Sequence, residues 1–243
     1  MSERLYEELA SWWGVLCAPE ESQHQATCLH GLLTQGLGRL PQTLLELGSG
    51  AGHLASCFPE TVACTLVDRA QGMLDESRRL NPQHTHLCAD FLKLDLGQTF
   101  DAVLLHDACM YLLTEADLRA AFAVARAHLA PGGALLVVPD HFDETFEEMT
   151  TGGGGVSADG RAARLMEWHW DPDPNDGQVR VDMALLLREA DGTVRHVHEP
   201  HFMNCFPRAS WARWIREAGF DLVESDTFLA VELGAHFLAR ARD

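Results

Sequence analysis

The segment from Leu44 to His53, Leu-Leu-Glu-Leu-Gly-Ser-Gly-Ala-Gly-His, carries the most specific chemistry in this chain. An apolar run closes at Leu47, and a loop follows with glycines at 48, 50 and 52 and Ser49 between the first two. Glycine tolerates positive φ and lets backbone approach a ligand with no Cβ in the way. A helix expected to open at Gly52 would present N–H groups to a polar ligand portion such as a carboxylate. A dinucleotide loop begins in the same way, but the spacing here is G-x-G-x-G and not G-x-G-x-x-G.

Acids recur where the next apolar runs end. Asp68, followed by Arg69, closes the run Cys64-Thr-Leu-Val-Asp68, about twenty residues after the first loop glycine. A carboxylate at that place can accept both hydroxyls of a ribose. Asp90 and Phe91 follow a third run; the acid can accept from an adenine amine and the ring can pack on the base. A fourth run, starting at Phe100, leads into His106 and Asp107, with Tyr111 a turn later. In open parallel sheets, ligands bind outside the carboxyl ends of the strands, where all these side chains fall.

With those residues in order, the chain resembles the class I S-adenosylmethionine-dependent methyltransferases, over about residues 40–140 and the C-terminal strands. The resemblance implies that Glu46, Gly48, Ser49, Gly50 and Gly52 contact the methionine part of S-adenosylmethionine. It also implies that Asp68, with Arg69 beside it, binds ribose, that Asp90 binds the adenine amine, and that Met73 and Phe91 pack on the base. His106 and Asp107 are then expected to face the donor sulfur. Seven strands with the last one antiparallel are implied as well, and two final runs at 222–227 and 232–239 suit that. A finer similarity, to small-molecule N-methyltransferases acting on amino sugars or glycine, rests on an extra antiparallel sheet and on the opening Tyr6-Glu-Glu-Leu-Ala-Ser-Trp12-Trp13.

Methyl transfer from a sulfonium is an in-line displacement, so nucleophile, carbon and sulfur must be aligned in a dry pocket. An amine or hydroxyl acceptor must present a lone pair, which a nearby base assists. His106 is the first candidate, because imidazole titrates near neutrality; Asp107 and Tyr111 come next. An equal alternative is that His106 only hydrogen-bonds the cofactor's methionine portion. Tyr6 and Trp13 (with Trp12) are candidates to roof the cofactor or hold the sulfonium by cation–π contact, against the alternative of plain core packing.

The elements that would position these residues read as α/β: a Rossmann-like, seven-stranded, mostly parallel sheet with helices on both faces, plus an inserted small antiparallel sheet. Parallel strands are expected at 43–47, 62–67, 85–88, 102–105 and 134–138, and helices at 23–37, 52–58, 71–79, 115–129 and 208–218. Pro131-Gly132-Gly133 is a stop signal after the fourth of those helices. Residues 143–160, ending in the glycine run 152–155, read as a mobile loop or lid edge. About three antiparallel strands follow, at 164–170, 178–187 and 194–202, the last two joined across Asp191-Gly192. The chain thus reads as one methyltransferase domain over 1–243. Its expected parts are an N-terminal helical lid to about 40, a cofactor core to about 140, an inserted substrate or dimer subdomain to about 206, and a closing helix and strands.

Composition narrows the partners. Net charge is -18, with 36 acids against 18 bases, and Lys93 is the one lysine. Such a surface repels phosphate backbones, so no nucleic acid partner is expected. There is no Asn/Asp-Pro-Pro-aromatic motif, no Pro-Cys pair and no lysine set for a ribose-methylating tetrad. A small-molecule substrate is left. No membrane span or signal peptide is legible, and the seven scattered cysteines suggest reduced thiols, so a cytoplasmic setting is expected. His196 and His198 share one strand face and His201 takes the other, so with His169 they do not converge on a metal, and none is expected. Trp168, Trp170, Arg180 and Asp182 are candidates for a substrate pocket or a homodimer interface. Two rivals remain open: a nicotinamide-dependent oxidoreductase and a non-catalytic cofactor-binding protein of the same fold.

Overall fold

The computed structural model describes residues 4–225, 229 and 234–242. After the N-terminal turns and the short helix α1 (Trp13–Leu16) comes α2 (Gln23–Leu37). Its buried residues Ala26, Leu29, Leu32, Leu33 and Gly36 recur three and four apart, which gives it one apolar stripe. Gly38, at φ 72°, ends it by turning its N–H back to the carbonyls of Thr34 and Gln35.

The core then alternates β1 (Thr43–Leu47), α3 (His53–Cys57), β2 (Ala63–Asp68), α4 (Gln71–Leu80), β3 (Thr85–Cys88), β4 (Phe100–Leu105), α5 (Glu115–Ala127) and β5 (Leu129–Val137). An inserted block supplies β6 (Met149–Gly153), β7 (Ala162–Trp170), β8 (Gln178–Arg188) and β9 (Val194–Asn204). The chain returns through α6 (Arg208–Glu217), β10 (Phe220–Val223) and β11 (Phe237–Ala241). The main sheet has seven strands in the order β10-β11-β5-β4-β1-β2-β3, with β11 antiparallel to both neighbours and the rest of the core parallel.

Successive residues of a strand point to opposite faces, and the parallel strands are apolar on both. Leu45, Leu47, Val103, Leu105, Leu135 and Val137 pack with Phe122 of α5 and with Trp211 and Ile215 of α6. Leu44, Leu66, Leu104 and Leu136 pack with Leu29, Leu32 and Leu33 of α2. Each such leucine contributes roughly 1.5–3 kcal/mol on burial. Thr114 caps α5 by accepting from the Asp117 N–H at 3.1 Å.

Three differences from the sequence reading have physical reasons. Residues 149–153 form a fourth antiparallel strand where a mobile loop was expected, with Met149 opposite His169 and Gly153 opposite Leu165. The glycines there admit close backbone: Gly155 N–H donates to the Val15 carbonyl at 2.8 Å, and a Cβ on Gly154 would lie 2.3 Å from the Ala163 oxygen. The stop at 131–133 ends α5 but is itself absorbed into β5, which starts at Leu129 and bulges across Gly132 at φ 72°. The closing strands are shifted from the expected 222–227 and 232–239, and residues 226–227 and 232–233 of those ranges lie outside the described residues.

Candidate active site

β1 hands the chain directly to the glycine loop, and β2 holds that loop from the side. Gly48 and Ser49 N–H groups both donate to the Val67 carbonyl, at 2.8 and 3.0 Å, and Gly50 N–H donates to Asp68 Oδ2 at 2.8 Å. Gly52 N–H donates to the Ser49 carbonyl. The loop amides expected to face a ligand therefore close the loop instead, and α3 behind them is barely more than one turn. What the glycines supply is room. A Cβ on Gly48 would lie 2.2 Å from the Ala108 Cβ, and one on Gly52 would lie 2.2 Å from Ser77 Oγ; both residues have positive φ.

The polar groups at the cradle match a zwitterionic amino-acid end. Glu46 is buried in β1, and its Oε2 has no hydrogen-bond partner. Burial pushes its carboxyl up to about 8, against the opposing pull of His106. Ser49 Oγ is likewise buried with no partner. A buried carboxyl and hydroxyl left unmatched beside a cleared backbone cradle fit a ligand ammonium and carboxylate.

Asp68 and Asp90 lie on the same edge of the sheet. β2 and β3 are adjacent and parallel with Asp68 opposite Cys88, and Ala89 N–H donates to the Asp68 carbonyl. Burial raises the Asp68 carboxyl, though it accepts from the Ala70 and Gly50 N–H groups. At Asp90, slight burial is outweighed by Lys93, whose ammonium is 3.0 Å away, and by the Leu92 N–H, so its carboxyl is held low. Met73 is buried with Ala51 and Ala70, and Tyr6 and Trp13 pack on that small cluster. Phe91 reaches the same loop, 3.6 Å from where a Gly48 Cβ would be. Arg69 is exposed beside Asp68.

Beyond β4 the chain turns through Asp107–Tyr111. His106 Nδ1 lies 2.8 Å from Asp107 Oδ1, and its Nε2 lies 2.9 Å from the Gln25 amide nitrogen. Burial alone would depress this imidazole; Asp107, Asp140 and Glu46 outweigh it and raise it. Asp140, just past β5, hydrogen-bonds Asp107. Both carboxylates open to the cleft, yet protein crowds them: His106 holds Asp107 low, and the shared site raises Asp140 well above the usual range. A cavity of ≈ 690 Å³ continues from Asp140, past His141, Glu167 and His169, to Arg208. Burial and then His169 push His141 down to about 4, so it is neutral.

Tyr111 lies at the far end of that turn, its hydroxyl 2.6 Å from Tyr6 Oη and 2.8 Å from His201 Nδ1. The expected cofactor and catalytic residues thus meet along one sheet edge, while the inserted sheet divides the others. His201 and His169 face inward beside Val181, and His196 and His198 face outward with Ala184 and Leu186. Trp168, Trp170, Arg180 and Asp182 are also on that outer face, and so do not line the cavity. No group of three metal-ligating side chains occurs among the described residues.

Asp140, Gln25, Asn204 and Glu199 join the site without having been singled out, and His201 joins it after being weighed only as a metal ligand. Asp140 shows the same signal as Asp68, an acid closing an apolar run. Asn204, whose amide donates to the carbonyls of Cys109, Met110 and Leu112, shows none.

Residues 44–133 match a methyltransferase domain family. The chain is 29% identical over 182 residues to the dTDP-3-amino-3,4,6-trideoxy-alpha-D-glucopyranose N,N-dimethyltransferase of Streptomyces venezuelae, covering 73% of this chain and 74% of that protein. It is 28% identical to the dTDP-3-amino-3,6-dideoxy-alpha-D-glucopyranose N,N-dimethyltransferase of Streptomyces fradiae, covering 74% and 70%. The solved structure of CalS10, an amino pentose methyltransferase from Micromonospora echinaspora with S-adenosylmethionine bound, superposes with a TM-score of 0.75 at 26% identity, over 90% of each chain. That of DesVI from Streptomyces venezuelae shares the fold at a TM-score of 0.80 and 21% identity, over 92% of each. With the cleared glycine cradle, the orphaned Glu46 carboxyl and the paired strand-end acids, these likenesses make the chain an S-adenosylmethionine-dependent methyltransferase, with S-adenosylmethionine as its cofactor.

Proposed function

We propose that this methyltransferase methylates the nitrogen of an amine on a small molecule, and that the acceptor is a nucleotide-linked amino sugar, the class that its relatives' names specify. The observation that carries this reading is the Asp107–Asp140 carboxyl pair, of which Asp140 lines the cavity. Two carboxylates that must share a proton when alone can both ionise beside an ammonium, so the pair favours an acceptor that arrives cationic, and it can take one proton back, freeing the amine lone pair for attack. Arg208 lines the same cavity and suits an anionic remainder of that molecule.

When bound, S-adenosylmethionine supplies an electrophilic methyl carbon on its sulfonium. Glu46 and Ser49 hold its amino-acid end over Gly48, Gly50 and Gly52; Asp68, flanked by Arg69, takes the ribose hydroxyls, and Asp90 the adenine amine, with Met73 and Phe91 against the base. Trp13 and Tyr6 close the cofactor side. His106, with both ring nitrogens engaged, fixes Asp107 instead of acting as the base. Asp107 and Asp140 would hold the acceptor nitrogen and orient it toward the cofactor site. In this reading residues 1–40 form the lid, about 41–140 the cofactor core, and about 141–206 a part that lines the acceptor cavity inward and offers a homodimer face outward. No described helix is long and apolar enough to cross a membrane, and we place the enzyme in the cytoplasm, acting on neither nucleic acid nor lipid.

The test is an acceptor panel. Nucleotide-linked amino sugars and their hydroxyl analogues are incubated with enzyme and S-adenosylmethionine and analysed by mass spectrometry. The amines gain one or two methyl groups and the hydroxyl analogues none; methylation of the hydroxyl analogues alone refutes the amine reading.

A further inference from the structure

The cavity beyond Asp140 holds polar groups for which methyl transfer has no use. His141 and His169 both line it, and the Nε2 atom of each is buried with no hydrogen-bond partner among the described residues. Burial, and then the nearby His169, bring the His141 imidazole down to about 4. At neutral pH it is uncharged and offers one N–H and one lone pair. Phe146 packs on that ring, with centroids 5.0 Å apart.

Glu167 lines the same cavity. Its Oε2 accepts from the Thr151 hydroxyl at 2.9 Å, across the β6–β7 pairing in which the two residues stand opposite each other. Strand β6 thus fastens a carboxylate to the cavity wall. His169 beside it and the Thr151 hydroxyl outweigh burial and hold that carboxyl low. His169 Nε2 is 3.9 Å from the same Oε2, too far for a hydrogen bond and close enough for one oxygen to bridge.

Buried polar atoms left unmatched are costly, so these nitrogens require water or a ligand group that replaces it. A hydroxyl fits all three side chains. It donates to a carboxylate, and it donates to or accepts from an imidazole in either tautomer. An ammonium only donates, and a methylene does neither. Position follows from the chain: His141 directly succeeds Asp140, both line the cavity, and the Glu167 charge reaches Asp140 and raises it further. A group held at His141 is the neighbour of one held at Asp140.

We propose that His141, Glu167 and His169 form a specificity subsite for a hydroxyl on the carbon next to the acceptor amine. The inference rests on the amino-sugar reading above. The enzyme accordingly selects amino sugars hydroxylated beside the amine over analogues deoxygenated there. A deoxygenated sugar displaces water from the subsite without returning its hydrogen bonds.

The test uses dTDP-3-amino-3,6-dideoxy-alpha-D-glucopyranose and its 3,4,6-trideoxy counterpart, which differ by the hydroxyl beside the amine. Each is titrated calorimetrically into the full chain saturated with S-adenosylhomocysteine. Each is then incubated with enzyme and S-adenosylmethionine and analysed by mass spectrometry. The hydroxylated sugar is expected to bind about 30-fold more tightly. His141→Phe is expected to cut that ratio about tenfold, with His169→Phe read in its place should the first variant not fold. A change in packing alone would weaken both sugars and leave the ratio. Wild-type affinity for the hydroxylated sugar no greater than for the other overturns the subsite, as does a ratio that His141→Phe leaves unchanged; neither result touches the amine reading. A wild type that prefers the hydroxylated sugar yet puts no methyl group on its nitrogen refutes the amine reading and leaves the subsite standing. Binding of neither sugar refutes both.

Discussion

Glu46 shows how a single residue can be written for a ligand and against the empty fold. Its carboxyl lies inside a parallel strand with one oxygen unmatched, and burial moves it from 4.5 to about 8. The folded chain therefore binds a proton that the unfolded chain releases between those values. The sign follows from linkage: stability of the cofactor-free protein falls as pH rises through that window, and is greatest on its acid side. Thermal denaturation at several pH values checks this, with a falling midpoint expected for wild type and a flatter profile for Glu46→Gln. Asp140→Asn should leave cofactor affinity unchanged while raising KM for the amine by about tenfold, the loss of one charged hydrogen bond; steady-state kinetics measure both. The acids at 68 and 90 were legible because each follows an apolar run. Asp140 follows one too, but Pro139 obscures where the strand ends. Gln25, Glu199 and Asn204 act across long sequence separations, and nothing local marks them.

Among the elements, the glycine loop was legible in position but not in the way it works. Its amides fasten it to Val67 and Asp68, and the ligand space comes from missing side chains. Gly48→Ala, at φ 79° and with its new Cβ 2.2 Å from the Ala108 Cβ, should cost about 1–3 kcal/mol. That corresponds to a fall in melting temperature of about 2–4 °C per kcal/mol, with a larger loss of S-adenosylhomocysteine affinity. Calorimetry and thermal denaturation measure both. The β6 strand was missed because glycines read as loop signals. Their reason is tertiary: the segment around Val15 crosses there, and side chains would hold it off. That contact also brings the N-terminal segment, which crosses α4 as well with the Glu7 carbonyl close against Gly72, into the site.

At the scale of the whole molecule, the two sheets divide the labour. The seven-stranded sheet follows from runs of apolar residues separated by amphipathic helices, which is why its class could be read at once. The four-stranded sheet alternates strictly in β8, with Val179, Val181, Met183, Leu185 and Leu187 buried. Its other face exposes Met166, Trp168, Leu186, Val194 and Phe202. An apolar face of that kind fits a second copy of this chain. Sedimentation should give a dimer for wild type and a monomer for Trp168→Asp combined with Phe202→Asp, with cofactor binding retained. The claim beneath all of this is that the sheet edge is shaped for an adenosyl amino acid. Calorimetric titration of the full chain with S-adenosylhomocysteine, and separately with NAD, tests it most directly. Saturable S-adenosylhomocysteine binding that tightens with rising pH and releases protons from Glu46, with no NAD binding, is the expected result. Tight NAD binding, or indifference to S-adenosylhomocysteine, would contradict it.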